Sequence, residues 1–130
     1  MVFVDTNVFV YAVGRPHPLR EPARALLGDH LTASTPLATS AEVLQELMHV
    51  YLPVDRLGTL DAALALANDL TTVLPVDASD VRAARDLVAR HPGLGARDLL
   101  HLAVCARHGV TQMLSFDRAL VAAFGGPRTR

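Results

Sequence analysis

An α/β fold built on a parallel sheet is predicted by three features of this chain: four short β-rich runs, amphipathic or Ala-rich helical patterns between them, and acidic residues at or just inside the helix starts. The β-rich runs lie near residues 2 to 5, 36 to 38, 72 to 76 and 111 to 115. Strands separated by helices cannot close as hairpins, so they pair in parallel. In such a sheet the loops leaving the carboxyl ends of the strands gather on one edge, and acids far apart in sequence can meet there.

The first run, Met1-Val2-Phe3-Val4, stops at Asp5 and turns through Thr6-Asn7 into Val8-Phe9-Val10-Tyr11-Ala12-Val13. A Pro-bearing turn, Gly14-Arg15-Pro16-His17-Pro18, precedes a helix carrying Ala23, Leu26, Leu27 and Leu31. Two helices fill the next crossover, Ser40 to Leu52, ended by Pro53, and about Arg56 to Leu70. After the third run, Asp77 to Arg90 reads as a helix terminated by His91-Pro92-Gly93. Ala96 to His108 is another, stopped by Gly109, and Asp117 to Phe124 is the last before a Gly-Gly-Pro tail.

A length of 130 residues predicts one domain, 1–130, able to bury roughly two thirds of its unfolded surface. The single Cys105 excludes an internal disulfide, makes a Cys-type zinc site untenable and reads as core. The amino terminus has no basic n-region, and no apolar run nears the roughly 18 residues of a membrane span, so a cytoplasmic, membrane-free protein is expected. All basic residues are Arg. The absence of Lys removes a Walker A loop, Schiff-base chemistry and Lys-dependent phosphotransfer. A net charge of −1 argues against indiscriminate coating of nucleic acid.

The candidate site consists of Asp5, Glu46, Asp98 and Asp117, as catalytic carboxylates and hard-cation ligands. Capping is the competing explanation, because Asp at a helix start satisfies free backbone N–H groups and complements the helix dipole. Glu42 and Glu46 compete for one place. Thr39-Ser40-Ala41-Glu42 fits a capping box with Thr39 as N-cap, which leaves Glu46 without a local role and Glu42 as a supporting candidate one turn earlier. Asp77-Ala78-Ser79-Asp80 also reads as an acidic helix start and is assigned to capping at a sheet edge. Glu46-x-x-His49 and Asp98-x-x-His101 have the spacing of di-iron bundle ligands, but the β-rich Thr72-Val73-Leu74-Pro75-Val76 between them contradicts a four-helix bundle. His49 and His101 are therefore expected to be ordinary packed or partly exposed residues.

Four segments in order, Val4-Asp5-Thr6-Asn7-Val8, Ser40-Ala41-Glu42-Val43-Leu44-Gln45-Glu46-Leu47, Ala96-Arg97-Asp98-Leu99-Leu100-His101-Leu102-Ala103 and Leu114-Ser115-Phe116-Asp117, closely resemble the PIN domain family, in particular its VapC-type toxins. The resemblance implies a three-layer α/β/α sandwich with a central, mostly parallel sheet. It implies that Asp5, Glu46, Asp98 and Asp117 are the family's four acids, with Thr6, Asn7 and Ser115 as their small polar supports. It further implies Mg²⁺ or Mn²⁺ as cofactor, an RNA substrate, a cognate antitoxin that covers the active groove, and a homodimer. The 51% hydrophobic content and positive mean hydropathy are compatible with an exposed apolar patch where such a partner docks.

Two functions remain open from sequence. One is a divalent-metal-dependent endoribonuclease, the toxin of a toxin–antitoxin pair, hydrolysing RNA phosphodiester bonds with metal-activated water. The other is a non-catalytic α/β interaction module whose acids only cap helices.

Overall fold

The computed structural model describes residues 1–125. Its strands are β1 (Val2–Val4), β2 (Leu37–Ser40), β3 (Thr72–Leu74) and β4 (Gln112–Leu114), and the helices are α1 (Thr6–Val13), α2 (Arg20–Thr32), α3 (Ala41–Tyr51), α4 (Leu57–Leu70), α5 (Ala78–Asp86), α6 (Ala96–Arg107) and α7 (Arg118–Gly125). A 3-10 turn, Leu52–Val54, joins α3 to α4. Of the expected Gly-Gly-Pro tail, Gly125 ends α7 and the other two residues lie outside the described ones.

All four strands pair in parallel, in the order β3-β2-β1-β4. The chain winds outward from β1 to β3 and then crosses back to place β4 on the other side of β1. Right-handed crossovers running in opposite directions put their helices on opposite faces, which yields the three-layer sandwich. α1 packs on α2, α3 and α4, whereas α5 packs on α6. β1 is buried along its whole length, and with Ala38, Val43, Leu47, Ala63 and Val104 it forms the core.

Element boundaries differ from expectation for local reasons. β3 stops at Leu74 because Pro75 has no N–H to continue the ladder. α5 ends at Asp86 rather than Arg90: Leu87 and Val88 donate to the Ala84 and Arg85 carbonyls in tight i to i+3 bonds that close the helix. The expected capping box at Thr39 does not form. Ser40 is the N-cap of α3, its hydroxyl accepting from Val43 N, while Thr39 is fully buried and donates its hydroxyl to the Val4 carbonyl. A capping box does occur at Asp77, which follows the edge strand β3 and lies away from the sheet centre, as expected.

Asp80, 1% exposed, closes that box and is gripped by Arg107 from α6, with Nε to Oδ1 at 2.7 Å and Nη2 to Oδ2 at 2.8 Å. Arg107 also donates to the Pro75 carbonyl, so one guanidinium ties β3, α5 and α6 together. The guanidinium holds the Asp80 carboxyl below its usual range against the opposing effect of burial. A lowered carboxylate contributes stability above its unfolded value of 3.8, and that contribution is lost as the pH falls through the folded value. Arg107→Ala is expected to lower the Tm by several degrees at pH 7 and to flatten the acid limb of stability below pH 4, as read by thermal melts across pH; an unchanged acid limb would contradict the assignment.

Candidate active site

Asp5 immediately follows β1, and its backbone N–H donates to the Leu114 carbonyl, so the carboxylate stands where the paired strands β1 and β4 end. It is also the N-cap of α1: Oδ1 accepts from Thr6 N at 2.8 Å. Oδ2 accepts from the Ser115 hydroxyl at 2.7 Å. That hydroxyl is saturated, since it donates to Asp5 and accepts from Asn7 Nδ2 at 3.2 Å and from Asp117 N at 3.0 Å. Asn7 completes the clamp by accepting from Phe116 N at 3.1 Å. Asp117 caps α7 through Leu120 N, at 3.1 Å.

Glu46 comes from α3, whose core stripe is Val43, Leu47 and Tyr51. Offset from that stripe, Glu46 is half-buried and turned toward α1 and α6. Its Oε2 accepts from the Thr6 hydroxyl at 2.9 Å and its Oε1 from His101 Nε2 at 2.6 Å. Asp98 stands in the first turn of α6, whose N-cap is Gly95, and it caps nothing. Asp5, Glu46, Asp98 and Asp117 line one open cleft of about 300 Å³ together with Thr6 and Asn7. All four expected acids are thus brought together. Thr6 donates its hydroxyl to Glu46, Ser115 donates to Asp5, and Asn7 donates to Ser115.

Two expectations are corrected. Glu42 forms no capping box and does not line the acidic cleft; it borders a separate groove with Val81, Ala84 and Leu100, so it does not share the place of Glu46. His101 is not an ordinary packed residue. It is fully buried, tilted against Phe3 at 5.5 Å, bonded to Glu46 and 3.7 Å from Asp5 Oδ1. The readable signal was Asp98-x-x-His101, an i,i+3 pair that puts both side chains on one face of α6.

The electrostatics follow from crowding. Burial pushes the Asp5 carboxyl up, opposed by the Ser115 hydrogen bond and the His101 charge. Asp98 is pushed up by burial and then by the negative charges of Asp117 and Asp5. Burial would also raise Glu46, but the hydrogen bond and charge of His101, the Thr6 hydroxyl and Arg97 together hold it below its usual range. His101 is raised: burial opposes its charge, and Glu46, Asp5 and Asp98 prevail. Cys105, one turn further along α6, is pushed up to about 12 by burial and by Asp5, which makes it an inert core thiol.

Candidate ligand atoms of Asp5, Glu46 and His101 lie within 4.8 Å of one another. His101 Nε2 is committed to Glu46, so the oxygens are the available donors. Each oxygen of Asp5 and Glu46 accepts one hydrogen bond from a protein group, which leaves a lone pair free. A set of hard oxygen donors carrying excess negative charge fits an Mg²⁺-like or Mn²⁺-like cation.

The arrangement is that of an α/β protein with a cation-accepting acidic cleft where its sheet changes winding direction. The PIN domain family model matches residues 2–124, and the chain belongs to that family. It is 60% identical over 124 residues to Ribonuclease VapC23 of Mycobacterium tuberculosis, covering 95% of this chain and 98% of that one. Ribonuclease VapC13 of the same organism is 42% identical over 119 residues, 91% of each chain. Among solved structures, Mycobacterium tuberculosis VapC20, described as a sarcin-ricin loop cleaving toxin, superposes with a TM-score of 0.77 at 23% identity over 95% of both chains. Rickettsia felis VapBC2, solved with a promoter DNA fragment, gives 0.64 at 18% identity over 88% of this chain and 86% of that one. These two structural likenesses bear on the fold.

Raised acids make the metal-free fold less stable as the pH climbs above about 3.8, because the folded state retains protons that the unfolded chain has released. A divalent cation replaces those protons. The rise in Tm caused by Mn²⁺ is therefore expected to be larger at pH 7.5 than at pH 5, by differential scanning fluorimetry; an equal shift at both would count against binding at this cleft. Ser115→Ala is expected to weaken Mn²⁺ binding by roughly 10- to 100-fold, measured calorimetrically, because Asp5 loses the hydroxyl that orients it.

Proposed function

We propose that this protein is a divalent-metal-dependent endoribonuclease of the VapC type, the toxin of a toxin–antitoxin pair, hydrolysing RNA phosphodiester bonds at the acidic cleft. The observation that carries this reading is the meeting of Asp5, Glu46, Asp98 and Asp117 in one cleft at the carboxyl edge of the sheet. Family membership and the named ribonuclease relatives support it.

Asp5 and Asp98 are assigned as central ligands of Mg²⁺ or Mn²⁺, with Glu46 and Asp117 completing the coordination. A bound divalent cation supplies the acidity that activates a water nucleophile at neutral pH and the positive charge that offsets the phosphate. The remaining work belongs to the chain. Ser115 and Thr6 N hold both oxygens of Asp5, and Thr6 Oγ1 and His101 Nε2 hold both oxygens of Glu46, fixing the carboxylates before substrate arrives. His101, by donating to Oε1, keeps Glu46 ionised. Arg97, beside Glu46 and Asp98 at the cleft mouth, and Arg118 at the start of α7 are placed to meet RNA phosphates.

The antitoxin covers the active groove in this reading, and the chain acts as a cytoplasmic homodimer with one PIN-like domain over 1–130. Exposed apolar side chains at Met48, Val50, Leu52, Val54 and Leu57, of which Val50 lines the cleft, support a docked partner. No helix among the described residues is long and apolar enough to cross a membrane.

The capping reading draws on Asp5 and Asp117, which do cap helices, but Glu46 and Asp98 do not. One pair of variants separates the two functions. Asp98→Asn is expected to raise the metal-free Tm by relieving repulsion while reducing Mn²⁺-dependent RNA cleavage by more than about a hundredfold; Asp77→Asn is expected to lower the Tm and leave cleavage intact. Equal losses of stability, with cleavage undiminished in Asp98→Asn or in EDTA, would reject the enzyme and favour the interaction module.

A further inference from the structure

Beside the acidic cleft lies a second, larger cavity of about 550 Å³. Val10, Tyr11 and Val50 line both, so the two spaces form one continuous depression. The chemistry of the second space is different. Where the first presents carboxylates, this one presents two arginines, Arg15 and Arg56, over an aromatic and apolar floor. Neither guanidinium pairs with a carboxylate among the described residues.

The aromatic part is held in place. The Tyr11 ring lies 4.6 Å from the His17 ring at 32°, and meets Phe116 edge-on at 5.6 Å. His17 is exposed, yet its ring is fixed by Leu19 N, which donates to Nδ1 at 3.0 Å. Behind the rings, Tyr51 is 3% exposed and its phenolic hydroxyl has no hydrogen-bond partner, which is costly for a buried donor. The Gly14 backbone closes this wall: a Cβ there would fall 2.6 Å from the Val10 carbonyl and 4.0 Å from the Tyr51 hydroxyl.

We infer that this cavity is a subsite for one unpaired RNA nucleotide next to the bond cleaved, its base stacked on the His17–Tyr11 shelf and its phosphate met by Arg15 and Arg56. The inference rests on the nuclease reading of the adjoining cleft. A polyanion approaching four carboxylates is repelled until a cation is bound, and free guanidiniums a few residues away supply the compensating attraction. Unpaired bases are recognised by stacking on aromatic planes in apolar recesses, and the volume lies in the range that encloses a ligand of nucleotide size. A ribose or base oxygen seated on the floor would also accept from the Tyr51 hydroxyl.

The test uses the full chain in Ca²⁺ and a short single-stranded RNA carrying 2-aminopurine, whose fluorescence is quenched on stacking. Native protein is expected to quench the probe, and His17→Ala and Arg56→Ala to bind it about tenfold more weakly. His17→Phe keeps a stacking plane and is expected to retain the quenching. Arg82→Ala, an exposed arginine on α5, controls for lost charge and is expected to bind as the native chain does. In Mn²⁺, cleavage of the same RNA by His17→Ala should show a raised KM with kcat less affected. If His17→Ala and Arg56→Ala bind and quench normally, the cavity serves another occupant, such as a segment of a partner protein, and the inference falls. It falls equally if Arg82→Ala loses as much affinity. Native protein that stacks the probe but cleaves nothing in Mn²⁺ would sink the nuclease reading while upholding the nucleotide site.

Discussion

Four carboxylates face one small cleft, and the energy needed to keep them there is the constraint around which the rest of the molecule is arranged. Asp5 is 5% exposed and Asp98 sits amid three other acids, so both resist ionisation. The fold answers with positive potential from several sources. The amino ends of α1 and α7 point their free N–H groups at Asp5 and Asp117, and His101 contributes a buried imidazole between Asp5 and Glu46. Capping and ligand duty are therefore not alternatives for Asp5 and Asp117. The same carboxylate that caps a helix is steadied by it and also lines the cleft.

The hydroxyls matter because they convert repulsion into fixed geometry. Ser115 links Asp5, Asn7 and the Asp117 backbone through one oxygen, and Thr6 serves Asp5 with its N–H and Glu46 with its hydroxyl. Each support comes from the turn or helix that immediately follows a strand, so the sheet sets the position of acid and partner together. The Asp80–Arg107 clamp and the closely packed α5–α6 pair anchor the far end of the helix that presents Asp98 and His101.

Much of this was legible in the residues. An acid directly after a β-rich run marked Asp5 and Asp117, and alternation of strand and helix signals marked the parallel sheet. The sequence pattern pairs Glu42 with Thr39 as a capping box, whereas Thr39 is buried in β2 and Ser40 performs the capping. Both readings leave Glu46 as the acid of the cleft, since Glu42 points to a different groove. Asp77 is separated from the site because β3, which it follows, is an edge strand with β2 between it and β1. The spacing Asp98-x-x-His101 puts His101 on the face of its helix that carries an acid, but its bridging role depends on Glu46, 55 residues away, and no local pattern shows that contact. The subsite cavity was equally hidden, as it joins the turn after α1 to the end of α3.

The pairing of β1 with β4 has a consequence for how the molecule comes into being. Ser115 and Asp5, whose side chains meet at 2.7 Å, are 110 residues apart, and that contact closes a long loop of chain. During synthesis the earlier strands and helices emerge first, but β1 lacks its second neighbour until β4 has left the ribosome. A chain that has not yet released Ser115 and Asp117 therefore carries Asp5 without its serine clamp, and the acidic cleft stays unassembled until that stretch emerges.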